Sequence, residues 1–494
     1  MIAGGERNSV AKGALLTIAM RWTNRSISIV STLILARLLV PDDFGVVALA
    51  FMTLALVEVF MDFGVNIALV QNADATEEHY HSGWTLRMIQ ASCVALVLAV
   101  SAPWVGDYFS DPRLTPVLWV LSLNVLVGSF ENIGIVTFQK NMQFGREFKY
   151  LVTNRFVTFI FIVTGAWFLR SYWAMILAGT LGGLFTVAHS YRAHPMRPRW
   201  STARLRELFS VSQWLLLRNI AMYADANLHK LLVGRRTDTA TMGSYALASD
   251  VAGMPSSELL GPLNRVLFPA FVQARHDLQE LRRIFLLAQG VQVMVVAPAG
   301  VCVALMAAEI VPLLFGPKWL GAVPFMQVLA LAAVLEALMT SPGFVNITLD
   351  RFRQVTAVVW SQVLLFVVLA LLLQPGSNPE RIAELRVMAL VVGLALEIGF
   401  VLQALPGLRL LDMLAGVWRP LAATGLLVLA TWQLQTTLDT SPLGMLALKC
   451  ALWLALYPSL VWLLWQASGR SEGAEAYLLR KLSTLWRTYR TSAM

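Results

Sequence analysis

The sequence predicts an all-α polytopic membrane protein, and three observations carry that prediction. Hydrophobic residues make up 57% of the 494-residue chain and charged residues only 14%, with a mean hydropathy of +0.65, whereas a soluble globular chain carries about 25% charged residues. Apolar runs of roughly 20 residues, each long enough for a helix to cross a bilayer, recur from one end to the other. Basic residues gather between those runs and mostly on one side, as cytoplasmic loops do. A transmembrane barrel would need short alternating segments, and none dominate. A signal peptide would be a single short apolar run near the start.

Fourteen spans are expected. Six fall in the first part, at about 13–38, 44–70, 84–106, 114–138, 149–169 and 171–190. Eight follow, at about 210–233, 242–272, 285–314, 320–348, 355–374, 387–405, 416–434 and 444–467. Several are interrupted by polar groups, so a hydropathy window alone misses one or two. With the N-terminus inside, 23 Lys and Arg fall in inside segments, Arg87 and Arg419 among them, against 9 outside. The outside set is Arg37, Arg113, Arg170, Lys230, Arg235, Arg236, Lys318, Arg381 and Arg386. That bias places both termini in the cytoplasm and requires an even number of spans. The acidic loop near 71–83 (Asp74, Glu77, Glu78) does not overturn it, because acidic residues contribute little to the rule. Lys449 is read as an interfacial anchor, and Trp104, Trp319, Trp418 and Trp465 as interface marks.

The largest inside connection is the basic segment SYRAHPMRPRWSTARLRELF, 190–209. It separates a six-span unit, 1–189, from the rest, and is read either as a solvated linker touching anionic headgroups or as a short interfacial helix around Arg204. A net charge of +9 does not point to nucleic acid, since no connection is long enough for a basic soluble domain. Cys93, Cys302 and Cys450 all lie in apolar runs, with no disulfide framework or metal spacing.

A parallel repeat crosses the linker. Arg37-Leu38-Leu39-Val40 matches Lys230-Leu231-Leu232-Val233 at an offset of 193, and Phe44-Gly45 with Ala48-Leu49-Ala50 matches Met242-Gly243 with Ala246-Leu247-Ala248 after five extra loop residues. Such duplications are typical of alternating-access transporters. The first offset superposes Arg25 on Arg218, each near the middle of its span. Two equivalent arginines facing each other would suit an anion.

Charges inside spans are expensive and should face protein or water. The first span carries Arg21 and Arg25 at i,i+4, on one helical face, with Asn24 beside them. The second carries Glu58 and Asp62, again i,i+4. The seventh carries Arg218, Asn219 and Asp225. Two readings stay open for these. In one, the carboxylates pair with arginines and tie helices together. In the other, Arg21, Arg25 and Arg218 bind an anionic headgroup, because the guanidinium fork matches phosphate oxygens and stays charged. Glu58, Asp62 or Asp225 would then couple to protons or sodium ions. Arg155, Asp250, Glu258, Arg265, Glu336 and Glu397 are weaker candidates of the same kind. Prolines Pro255 and Pro262 should bend the eighth span. No H-E-x-x-H, G-x-S-x-G or P-loop pattern occurs, so neither an enzyme nor an ATP-driven pump is expected, and no cofactor is implied.

The segments LARLLVPDDFGVVALA at 35–50, DFGVNIALVQ at 62–71, FQKNMQFGREF at 138–148, LFPAFVQAR at 267–275 and VPLLFGPKW at 311–319 carry a resemblance. In them the chain resembles Wzx-type lipid-linked oligosaccharide flippases, most of all the colanic-acid type, in the polysaccharide transporter branch of the multidrug/oligosaccharidyl-lipid/polysaccharide (MOP) exporter superfamily. The resemblance implies a MATE/MurJ-like fold: two pseudo-symmetric six-helix bundles, the second over 210–405, two further helices over 406–467, and a cytoplasmic tail over 468–494. It implies a central cationic cavity for an undecaprenyl-diphosphate-linked oligosaccharide, moved across a bacterial inner membrane by alternating access coupled to an ion gradient. A periplasm-facing polysaccharide polymerase would be a partner. Two other classes stay open: an exporter of amphiphilic or cationic small molecules, favoured by a carboxylate-dominated cavity, and a non-transporting scaffold or scramblase of the assembly complex.

Overall fold

The computed structural model describes residues 4–61, 65, 69–70, 72, 74–208, 213–374, 376, 378–438, 440–470, 473–478 and 480, with the side chains of 4–15, 17–18, 61, 208 and 213–218 excepted. Every regular element among them is helical, as a chain in hydrocarbon demands, because a helix satisfies its backbone polar groups internally. Helices of sixteen residues or more are numbered here in chain order. They are α1 (Gly4–Leu38), α2 (Pro41–Met61), α3 (Glu77–Phe109), α4 (Leu114–Ser129), α5 (Phe144–Leu169), α6 (Trp173–Ala193) and α7 (Gln213–Arg236). They continue as α8 (Thr239–Gln273), α9 (Leu278–Ile310), α10 (Val323–Leu338), α11 (Phe352–Leu373), α12 (Pro379–Ala404), α13 (Leu410–Thr437) and α14 (Pro442–Ala467).

Fourteen spans were expected, but only ten helices among the described residues are long and apolar enough to cross a membrane. An eleventh appears if α4 and the segment Ile133–Lys140, bent by 64° at a short break, count as one. The helices that fall short are α1, α7 and α8, the ones carrying Arg21 and Arg25, Asp225 and Lys230, and Asp250, Glu258 and Arg265. Their polar content lowers hydropathy below what the other spans reach. The helix α8 stays helical through Pro255, Pro262 and Pro269.

Helix starts differ from the expected ones at two places that matter. Asn378 accepts hydrogen bonds from the backbone N–H of Glu380 and Arg381, and Pro379 opens α12. A proline at the first helical position behind an Asn cap is a favourable start, so α12 begins eight residues before 387. At α3, the Thr76 and His79 side chains form a capping box, and the helix begins at Glu77 rather than 84. Arg386, read above as a loop cation, therefore lies inside a helix, and Arg87, counted above with the inside cations, lies ten residues into α3.

The chain divides into two compact units: residues 1–223 with 237–243, and residues 224–236 with 244–494. In the first, α3 packs on α4, α5 on α6 and on α1, and α2 on α3 and α4. The linker after α6 is docked here rather than solvated. Asn132 donates to the carbonyls of His194 (3.2 Å) and Met196 (2.7 Å). The Ser201 and Arg204 N–H groups donate to Thr85 Oγ1 (2.9 Å) and Ser82 Oγ (3.1 Å), and Trp200 packs edge-on against Trp84. Arg204 and His79 both reach Glu207, and their hydrogen bonds, Arg204 first, lower its carboxyl pKa.

The ends of α2 and α8 cross within the first unit at repeat-related glycines. A Cβ on Gly45 would run into the Thr239 carbonyl oxygen, and one on Gly243 into that of Pro41. Thr239 follows Pro41, and Gly243 follows Gly45, by the repeat's own offset past its loop insertion. The contact is reciprocal, as a local two-fold relation requires, and small residues are what let two membrane helices approach this closely. Beside it, Arg113 donates to both oxygens of Asp111 (2.9 and 2.7 Å) and to Asp42 Oδ1 (3.0 Å), and Thr239 donates to Asp111 (3.1 Å).

In the second unit, α9 is the central helix, packing on α10, α13 and α14, while α12 lies against α10 and α11. An apolar core joins Phe271, Phe285, Val345, Val401 and Met413. Lys449 is not an interfacial anchor. It is fully buried, and its ammonium donates to Glu309 Oε1 (2.6 Å) and the Leu305 carbonyl (3.1 Å), tying α14 to α9. Trp319 is also fully buried, unlike Trp104 and Trp418, which are exposed.

Candidate functional site

Each unit carries a charged assembly within its helices. In the first, Arg21, Arg25 and Ser28 share one face of α1, at i, i+4 and i+7. Arg21 and Arg25 are half-buried. Arg155 of α5, itself exposed, donates to Ser28 Oγ at 2.6 Å, which brings a third guanidinium to that face. Asn24 lies beside them, half-buried, with its Oδ1 enclosed. The sequence placed Arg21 and Arg25 together but left Arg155 as an isolated cation.

A cleft of about 430 Å³ in the same unit is lined by Glu58 of α2, Arg87 and Gln90 of α3, and Gly128 and Ser129 of α4. Arg87 donates to Glu131 Oε2 (2.7 Å) and the Gly128 carbonyl (2.9 Å), and the Tyr150 hydroxyl donates to Glu131 Oε1 (2.6 Å). Glu58 is exposed, so the cleft sets a solvent-accessible carboxylate beside the Glu131-bound Arg87. Glu131 and Tyr150 were missed in the sequence because neither belongs to a patterned pair. Asp62 lies outside the described residues.

In the second unit, Arg386 of α12 is buried, and its fork takes both carboxylate oxygens of Asp225 on α7, Nη2 to Oδ2 at 2.8 Å. The same Nη2 donates to Glu336 Oε1 of α10, also at 2.8 Å. Asp225 and Glu336, singled out separately in the sequence, are thus joined by a residue that had been assigned to a loop. The Asn-Pro-Glu start at 378–380 was the signal that could have moved the helix boundary. Arg386 is almost enclosed while the Glu336 side chain is half-exposed. The triad therefore has a sheltered arginine and one open carboxylate. Three turns along α12, away from Arg386, Glu397 is buried and accepts a hydrogen bond from Asn346 (3.4 Å).

The remaining candidates are more peripheral. Asn219 is half-buried on α7, and the side chain of its neighbour Arg218 lies outside the described residues. Asp250 and Arg265 are exposed on α8. Glu258 is half-buried there, with Ser257 donating to it (3.5 Å). Among the described residues, no cluster of His, Cys, Asp and Glu could hold a metal ion.

Long helices with charge held inside them, arranged in two units, define a multi-pass helical membrane fold. The comparisons agree with that class. The chain covers 99% of a structure of the lipid II flippase MurJ in an inward closed conformation, with 92% of its own length, a TM-score of 0.73 and 11% identity. An inward-facing multidrug-resistance MATE transporter of the MOP superfamily superposes with a TM-score of 0.57 and 14% identity, over 77% of this chain and 95% of that one. Residues 34–324 match the family described as "Polysaccharide biosynthesis protein", and the chain belongs to that family. Among its relatives are the lipopolysaccharide biosynthesis protein WzxC of Escherichia coli (strain K12), 25% identical over 63% of this chain and 64% of that protein, and the teichuronic acid biosynthesis protein TuaB of Bacillus subtilis (strain 168), 24% identical over 65% and 67%. The succinoglycan biosynthesis transport protein ExoT of Rhizobium meliloti (strain 1021) is 24% identical over 60% of this chain and 61% of its own length. The match thus spans just under two thirds of WzxC.

Proposed function

We propose that this protein flips an undecaprenyl-diphosphate-linked oligosaccharide repeat unit from the cytoplasmic to the periplasmic leaflet of a bacterial inner membrane, by alternating access, for exopolysaccharide or O-antigen synthesis. In this reading it is a transporter, not an enzyme, most similar to the colanic-acid-type members of the flippase family. The observation that carries it is the three-guanidinium face of α1 and α5 formed by Arg21, Arg25 and Arg155. A diphosphate presents several charged oxygens, and arginine forks meet them bidentately without losing their own charge. Leaving the polyprenyl tail in lipid while only the headgroup crosses avoids placing its charge in hydrocarbon. Arg218, as the repeat-equivalent of Arg25, would complete the headgroup site. WzxC, TuaB and ExoT are proteins of lipopolysaccharide biosynthesis, teichuronic acid biosynthesis and succinoglycan biosynthesis transport, which supports this substrate class.

The fold proposed with it is fourteen spans, in which polar α1, α7 and α8 are membrane helices shielded by protein or by a hydrated cavity, grouped as two six-helix bundles plus α13 and α14. Both termini face the cytoplasm, and a polysaccharide polymerase takes the product. Proton or sodium coupling falls to Glu58 and Asp62 and, in the second unit, to Asp225 as Arg386 releases it. The test is headgroup translocation in proteoliposomes. Arg25→Ala and Arg218→Ala should each lower the rate at least tenfold, whereas unchanged transport by both and by the double variant would sink the headgroup assignment. The solvent-exposed carboxylates Glu58 and Glu336 favour one competing reading, export of a cationic amphiphile. The same vesicles separate the two, since that reading requires uptake of the cation and indifference to the lipid-linked diphosphate.

A further inference from the structure

A second cavity, within the second unit, is independent of the charged faces above. It has a volume of about 430 Å³ and sits where α9 and α13 begin, lined on another side by Gly473, Ala474, Tyr477 and Arg480. Three of its lining side chains are arginines: Arg283 of α9, Arg419 of α13 and Arg480. Asp412 is the one carboxylate in the lining among the described residues. Arg419 is enclosed (2% exposed), its Nε 3.2 Å from Glu475 Oε1 and its Nη1 donating to Ser468 Oγ at 3.4 Å. Arg283 is held by Glu280, two parallel hydrogen bonds of 2.7 and 2.6 Å, and Arg282 by Asp412 at 2.7 Å. Among the described residues, four arginines thus meet three carboxylates around the cavity, an excess of positive charge. Its floor is made of small residues, Gly416, Gly473 and Ala474 among them, which is what leaves room for a ligand.

The position on α13 specifies the ligand further. Asp412, Ala415, Gly416 and Arg419 face the cavity, at the spacing of one helical face. The adjoining face carries Leu411 (73% exposed), Leu414, Trp418 and Leu421, all exposed. In a membrane chain this stripe meets acyl chains. A cationic cavity at a helix end, one step around the helix from a lipid-contact stripe, has room for a charged headgroup with its tail alongside.

We propose that the Arg283–Arg419–Arg480 cavity binds the phosphate headgroup of a membrane lipid lying against α13. The phosphate has two sources, an anionic phospholipid of that leaflet or a polyprenyl diphosphate, and the site does not depend on the flippase reading. Native mass spectrometry of the full-length protein tests it with phosphatidylglycerol, phosphatidylethanolamine and undecaprenyl diphosphate as separate probes. Arg283 and Arg480 are exposed, so R283Q/R480Q should fold, which its melting temperature checks. The expected result is a roughly tenfold loss of anionic-lipid retention in R283Q/R480Q, none in the exposed R353Q control, and retention largely kept in R283K/R480K. Loss confined to phosphatidylglycerol assigns the phospholipid, and loss confined to undecaprenyl diphosphate assigns the prenyl lipid. Retention equal to the unaltered protein for both, or an equal loss in R353Q, overturns the proposal.

Discussion

Arg386 shows how one side chain organises its surroundings. Its guanidinium is buried, and removing it would strand Asp225 and leave Glu336 with one partner fewer. Breaking a buried ion pair by deleting one partner costs about 3–5 kcal/mol, because the remaining charge stays desolvated. Arg386→Gln should therefore lower the melting temperature in detergent, and adding Asp225→Asn should restore part of it. A single variant as stable as the parent would mean that the triad holds nothing. Asp111 gives a pH-dependent counterpart at the loop between α3 and α4. Burial pushes its carboxyl pKa up, but the hydrogen bonds and charge of Arg113 outweigh that, so the folded value lies below the ordinary one of about 4. A depressed carboxyl contributes stability above its unfolded pKa and loses it as pH falls through the folded one. Melting temperatures between pH 6 and pH 3 should drop below about pH 4, and Asp111→Asn should flatten that drop. The site's individual charges were legible because an ionisable residue inside an apolar run stands out. Their partners were not, since Arg386, Glu131 and Tyr150 are recognised only once helix ends and neighbours are known.

At the scale of helices, boundaries decided which charges counted as intramembrane. Hydropathy places a start where the apolar run begins, but α12 and α3 start at their caps, Asn378 and Thr76, seven or eight residues earlier. Polar first turns conceal those starts from any apolar window. Lys449 was misread for the related reason that a lysine near a span end ordinarily reaches water, whereas here Glu309 of α9 faces it. Because Glu309 Oε2 is buried with no hydrogen-bond partner among the described residues, the ammonium is the main compensation for that carboxylate. Lys449→Met should cost about 3–5 kcal/mol, while Lys449→Met with Glu309→Leu should come close to the parent, since a buried pair replaced by apolar groups is often neutral. Thermal unfolding of the two variants checks it, and equal losses in both would show that packing, not charge, governs the site.

For the whole molecule, the all-helical membrane class followed directly from composition, and the parallel repeat from a few matched residues. The number of spans did not follow so simply, because α1, α7 and α8 carry the charges that function would need and fail on hydropathy for that reason. The repeat gains physical content at Gly45 and Gly243, where repeat-related backbones meet. Gly45→Leu or Gly243→Leu must separate those backbones, which should lower folded yield and transport together. Gly425→Ala, where a Cβ within α13 meets open space, should be neutral or gain up to about 1 kcal/mol by helix propensity and serves as the control. The central claim is directional movement of an anionic lipid headgroup. It is tested most directly by reconstituting the unaltered protein with a defined undecaprenyl-diphosphate oligosaccharide and following headgroup accessibility with and without an imposed proton or sodium gradient. The account predicts protein-dependent translocation that one of the gradients accelerates. Translocation no faster than in protein-free vesicles, or transport of cationic amphiphiles instead, would contradict it.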